Sequence, residues 1–235
     1  PELFMLDLLS SYEWDRPINL LSQGGELNIG MKDYLMYEGF SSKFVPLKNR
    51  ITSSDIGSKV DLNKLGYQMD SVFKWEALKR TDYFVDYQNL YTFLGVLPQR
   101  DIFLNVASKY IEAGDNERAI ELLDRCQENV PAETYPIETI CLGFYHNDIS
   151  VIGMVEAYMK AGAIEKGKAL ADRMREELMK SISFYIGYYD VAKDEFELCC
   201  NCLYYLADTI KRYGDEAAAA EIIKSLEATV KGSAI

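Results

Sequence analysis

Histidine is nearly missing from this chain: His146 stands alone among 235 residues. A Ser-His-Asp or Cys-His device would have to rest on that one side chain, and no nucleophile elbow or paired motif accompanies it. A single histidine also leaves a zinc site short of its usual ligands. Positive charge is scarce, with 25 Lys and Arg against 37 Asp and Glu and a net charge of −12. That balance argues against nucleic acid, whose phosphates need clustered cations, and against an anionic membrane surface. No apolar run approaches the roughly eighteen residues of a membrane helix, so direct insertion by this segment is not expected. No secretory signal opens the sequence, and the abrupt start at Pro1 reads as that of a piece of something longer. Cysteines number five, an odd count that makes no disulfide framework. The stretch GGELNIG at residues 24–30 lacks the Lys-Ser/Thr ending of a phosphate loop. Carboxylates are abundant, but their pairing in space cannot be read from sequence, and no catalytic residue, cofactor or metal is expected in this segment.

What is present is a repeated helical unit. In residues 103–131, Phe103, Val106, Ala107 and Tyr110 recur at three- and four-residue spacing on one face of a first helix. Gly114 ends that helix, because glycine takes the left-handed conformation without a Cβ clash, and Asp115 or Asn116 caps the next one. Ala119, Leu123 and Cys126 form the second apolar face, and Pro131 stops it. The order and spacing match the tetratricopeptide pattern of about 34 residues. Val151, Met154, Val155 and Tyr158 precede Gly162 in the same way, with Gly167, Ala171 and Met174 after it. Leu203, Leu206, Ala207 and Ile210 precede Gly214, with Ala219, Ile223 and Leu226 after it. The three glycines lie 48 and 52 residues apart, so each junction carries roughly 14 to 18 residues beyond the usual repeat.

Ahead of the repeats the pattern changes. Residues 3–9 read as a short helix, and Pro17 imposes an extended entry to a buried strand over residues 18–21. Residues 34–37 and 42–47 read as an extended pair turning at Glu38-Gly39. Residues 49–59 read as a polar linker, residues 61–78 carry helical spacing, and the aromatic-rich residues 83–94 read as a short helix leading into the first repeat.

The two long junctions are dense in aromatics. The first carries Tyr135, Phe144, Tyr145 and His146; the second carries Phe184, Tyr185, Tyr188 and Tyr189. Two readings stand side by side. Either the preceding helices run on and the rings complete the core, or they line an edge that binds a peptide or sugar, with Asp190, Asp194 and Glu195 as hydroxyl acceptors. On the second reading the ligand-binding residues are Tyr145, His146, Tyr185, Tyr188 and Tyr189. Cys199 and Cys202, one helical turn apart, read as small buried hydrophobes, with a redox pair or a metal as the alternatives. Thiols without disulfides suggest a reducing compartment.

The landmarks Trp14-x-Arg16-Pro17-Ile18, Tyr34-Leu35, Glu38-Gly39, Phe44-Val45-Pro46-Leu47 and Phe73-Lys74-Trp75 come in a specific order. That order continues through Gly114, Ala119, Leu123-Asp124, Cys126 and Pro131. It resembles the soluble C-terminal region of a Bacteroidetes family of multi-pass membrane proteins of unknown function, which is similar to protein O-mannosyltransferase-like membrane glycosyltransferases. The resemblance implies an extracytoplasmic segment on the periplasmic side of the inner membrane, with a transmembrane domain upstream in the same chain. Catalysis in such enzymes is attributed to acidic residues on a loop this sequence does not contain, so none is carried over.

The expected fold is therefore mainly α: a tetratricopeptide-like stack of about three helix pairs with a small N-terminal α/β segment of two or three strands. Residues 1–58 form that segment, 59–100 a helical connector and 101–235 the repeats. The expected function is a non-catalytic module that positions a polypeptide or glycan acceptor. The alternatives are a free-standing cytoplasmic helical-repeat adaptor and, from another class, an enzyme acting through His146.

Overall fold

A computed structural model of the chain describes residues 2–21, 31–46, 59–86, 98–137 and 150–232. They fall into two compact units, Pro1–Lys74 and Trp75–Ile235. The expected connector over 59–100 is divided between them, its first part belonging with the sheet and the rest with the helices.

The first unit opens with helix α1 (Glu2–Ser10). Its sheet has strands β1 (Asn19–Leu21), β2 (Leu35–Tyr37), β3 (Ser41–Phe44) and β4 (Lys59–Val60) in the order β1-β3-β2-β4. β2 and β3 form the expected hairpin, with Leu35 opposite Phe44 and Gly39 at φ +83° in its turn. β1 adds antiparallel to β3, which makes three antiparallel strands, and the two-residue β4 joins β2 in parallel. Met5 of α1 and Phe44 of β3 are buried together, with Leu8, Leu9, Ile18, Leu20, Tyr34 and Leu35 against them. The strand expected to be buried is instead an edge strand: Leu20 packs against the Met5–Phe44 core, whereas Leu21, on the opposite face, is largely exposed.

The helical spacing of residues 61–78 does not become one helix. α2 (Leu62–Tyr67) starts where the Asp61 carboxylate accepts from the Lys64 amide at 3.0 Å. A π-turn (Gln68–Val72) follows, closed by Phe73 N–H donating to the Gln68 carbonyl. The chain is then extended at Phe73, whose ring meets Phe40 edge-on at 4.8 Å. A contact distant in sequence thus overrides the local period.

The second unit begins at Trp75 and a 3₁₀ turn (Glu76–Lys79). Three antiparallel helix pairs follow: α3 (Pro98–Glu112) with α4 (Asn116–Asn129), α5 (Ser150–Lys160) with α6 (Ile164–Ile186), and α7 (Lys193–Arg212) with α8 (Glu216–Gly232). First helices also pack on first helices, α3 on α5 and α5 on α7, which makes the pairs a stack. All the first-helix residues singled out by their spacing are buried, from Phe103, Val106 and Ala107 to Leu206, Ala207 and Ile210. Each pair turns on glycine in the left-handed region, Gly114, Gly162 and Gly214 at φ +83°, +87° and +91°. A side chain there would cost roughly 1–2 kcal/mol. The residue after Gly114 and Gly214 caps the second helix: Asp115 accepts from the Arg118 amide at 3.1 Å and Asp215 from the Ala218 amide at 3.0 Å. Ala163 stands at that place in the middle pair and gives no side-chain cap.

The junctions between pairs use polar as well as apolar contacts. Between the first two, Leu104 of α3 presses on Gly153 of α5, where a Cβ would lie 2.5 Å from a Leu104 methyl. The buried Tyr158 hydroxyl donates to Asp124 of α4 and accepts from Gln127, each at 2.8 Å, and Lys166 pairs with the same aspartate. Between the second and third pairs, Arg212 meets Glu156 at 3.0 Å and Lys168 meets Asp215 at 2.8 Å. The hydrogen bond from Lys168, with its charge, holds the Asp215 carboxyl below its ordinary range.

Candidate functional site

The second helix of the first pair has 14 residues and that of the middle pair, α6, has 23. The nine extra residues carry α6 on by roughly 13 Å at 1.5 Å per residue. The helix has run on, as the core-completing reading required, but its last turn is not all core. Ile182 is fully buried, whereas Phe184 and Tyr188 are 61% and 55% exposed and Val191 is more so. Gly187 closes α6 by donating to the Phe184 and Tyr185 carbonyls. The chain then coils through Tyr188–Ala192, the amides of Val191 and Ala192 both bonded to the Tyr188 carbonyl. This turn fixes the rings relative to one another. Phe184 lies 5.0 Å from Tyr188 and 5.5 Å from Tyr185, centroid to centroid. Tyr189 faces the other way, edge-on to the buried Phe196 of α7 at 5.4 Å.

The expected tyrosines therefore separate by role. Tyr188 is an outward ring, Tyr185 is half-buried beside it, and Tyr189 anchors the turn to α7. Tyr145 and His146 lie outside the described residues. From the same junction Tyr135 is fully buried, its hydroxyl bonded to that of Tyr83 and its carbonyl accepting from Arg100. Burial, then Tyr83, pushes the Tyr135 hydroxyl well above the ordinary tyrosine range, so it stays protonated as part of the core. Phe184 was absent from the expected site. Its signal was available, since Phe184 belongs to the same aromatic run as Tyr185, Tyr188 and Tyr189.

Such an edge offers two apolar ring faces and a phenol to an extended ligand. Asp190 is exposed on the same turn, and Asp194 is exposed in the first turn of α7. Cys199 and Cys202 are buried on the inner face of α7, and Cys126, Cys199, Cys200 and Cys202 are all thiols. Burial, reinforced by Glu197, raises the half-buried Cys200 thiol above its ordinary value, which disfavours a reactive thiolate. Among the described residues no group of three or more His, Cys, Asp or Glu is arranged to hold a metal ion, and no helix is long and apolar enough to cross a membrane.

A sequence model of the family described as TMEM260-associated domain 2 matches residues 1–64, which span α1, the sheet and the start of α2. No curated protein and no solved structure matches the chain.

Proposed function

We propose that this chain is a non-catalytic interaction module whose aromatic edge holds an acceptor, an extended polypeptide or its glycan, for a membrane glycosyltransferase-like protein. The observation that carries this reading is the exposed Phe184–Tyr188 pair, formed by the last turn of α6 and the coil that follows it. Rings this exposed add little to the core, and adjacent flat faces suit a sugar ring or an apolar side chain. The match of residues 1–64 to a TMEM260-associated domain supports the membrane-protein setting. The landmarks from Trp14 to Pro131 support its kinship with O-mannosyltransferase-like enzymes. On that reading a transmembrane domain lies upstream in the same chain and the module faces the periplasm. A second reading, a free-standing cytoplasmic adaptor, is favoured by the four free thiols among the described residues.

An array of Ser/Thr-rich peptides, with and without a single O-linked mannose, tests the edge. Phe184→Ala with Tyr188→Ala should weaken retained binding at least tenfold and leave stability within about 0.5 kcal/mol, because both side chains are exposed. Binding unchanged by the pair of substitutions, or unfolding caused by them, would remove the edge from the reading. The setting is tested by fractionating the native gene product with an antibody to this segment. A membrane-bound product much heavier than 26.8 kDa supports the first reading, and a soluble one of that mass the second.

A further inference from the structure

The third helix pair ends in a groove of about 560 Å³ between α7 and α8. Ala207, Ala219 and Ile223 line it, with Tyr204, Asp208, Lys211, Glu216, Lys224 and Glu227 among its walls. Counted from the turn glycine of each pair, these positions have equivalents whose occupants are known. Tyr204 stands where Leu104 stands in the first pair, and Leu104 receives Gly153 of the next first helix. Lys224 and Glu227 stand where Asp124 and Gln127 hold Tyr158 of that helix. Asp208 and Ala220 stand where Glu156 and Lys168 of the middle pair hold Arg212 and Asp215 of the third. Twice in this chain, then, the same surface seats the helix that follows.

We infer that the α7–α8 groove is a docking site for an amphipathic, net-basic α-helix of another polypeptide. Concavity and charge choose this occupant over a second copy of the chain. A groove is filled by a convex helix about 10–12 Å across, and two facing grooves would leave the volume empty. Two copies would also each bring a net charge of −12 to the contact, whereas a basic helix is steered toward it. The docked helix turns its apolar stripe to Ala207, Ala219 and Ile223. It presents a small residue to Tyr204, whose bulk exceeds that of the leucine that already needs a glycine, and a cation to Asp208 or Glu227. This inference does not depend on the aromatic edge, which lies at the α6–α7 turn.

The probe is a labelled synthetic peptide of residues 193–212, the helix seated one pair earlier. It carries Cys199→Ala, Cys200→Ala and Cys202→Ala to block oxidation, and Glu195→Lys and Glu197→Lys to make it net basic. Fluorescence anisotropy with the whole chain should show saturable binding in the micromolar range. Ala220→Arg and, separately, Glu227→Lys should weaken it at least tenfold, the first by filling the groove and both by repelling a basic helix; both positions are exposed, so the thermal melt should not move. Phe184→Ala should leave it unchanged. Absence of saturable binding up to about 100 μM overturns the inference, as does binding indifferent to Ala220→Arg. So does a dimer, seen by light scattering, that Ala220→Arg dissociates, since the groove would then belong to a second copy.

Discussion

Tyr158→Ala is expected to destabilise the helical unit by about 3–5 kcal/mol, the range for deleting a large buried ring. The ring is fully buried where α5 meets α4, and its hydroxyl ties Asp124 to Gln127. Truncation empties the space and takes one hydrogen-bond partner from each polar group. Tyr158→Phe separates the two effects: it keeps the ring and should cost about 1 kcal/mol for the lost hydrogen bonds, moderated because Lys166 still pairs with Asp124. Urea unfolding followed by far-UV circular dichroism would check both values. The two variants should also differ from the wild type in their response to alkali. Burial, then the Asp124 carboxylate, raises the Tyr158 hydroxyl well above the ordinary tyrosine range. Its contribution is whole below the unfolded tyrosine value, about pH 10, and is lost as pH rises from there toward the folded value. Wild type should therefore lose stability above pH 10 more steeply than Tyr158→Phe. Equal slopes would mean that the hydroxyl is not buried at the junction.

Trp75→Ala is expected to cost about as much, about 3–5 kcal/mol, although Trp75 lies outside every helix pair. It is 3% exposed and its ring sits 4.5 Å from that of the fully buried Phe103. The 3₁₀ turn after it packs on α4. Further along, Tyr83 bonds to Tyr135 and Thr134 donates to the Arg80 carbonyl at 3.3 Å. Trp75 thus pins a segment that covers the first helix pair, where no preceding pair is present among the described residues. Trp75→Phe should recover most of the loss. If Trp75→Ala left the unfolding midpoint unchanged, the segment would be a passive strap with no part in the stability of the stack.

The parts of this architecture that were legible in the sequence are those set within a few residues. A left-handed glycine, an aspartate after it and apolar positions three and four apart depend on nothing distant, and Gly114, Gly162 and Gly214 all stand as expected. The hairpin at Gly39 was legible for the same reason. What escaped depends on partners far along the chain. Phe73 leaves the helical pattern to meet Phe40, and Trp75, which shares that pattern, packs at a tilt on Phe103 instead. β4 is two residues long, too short for any alternation to show, and exists only because β2 offers it an edge. At the aromatic edge the residue types were legible but their directions were not. Tyr188 and Tyr189 are neighbours in sequence, yet one faces out and the other rests on Phe196, a division made by the coil after Gly187.

Ala163 has a kinetic consequence. The amides at the start of α6 have no side-chain oxygen to close on, while those of α4 and α8 have Asp115 and Asp215. Hydrogen exchange should therefore run fastest, among the three second-helix starts, in the middle of the stack and not at its end. Local opening there is bounded on both sides by pairs that stay shut, so the first turn of α6 can breathe without the array unravelling from its last pair.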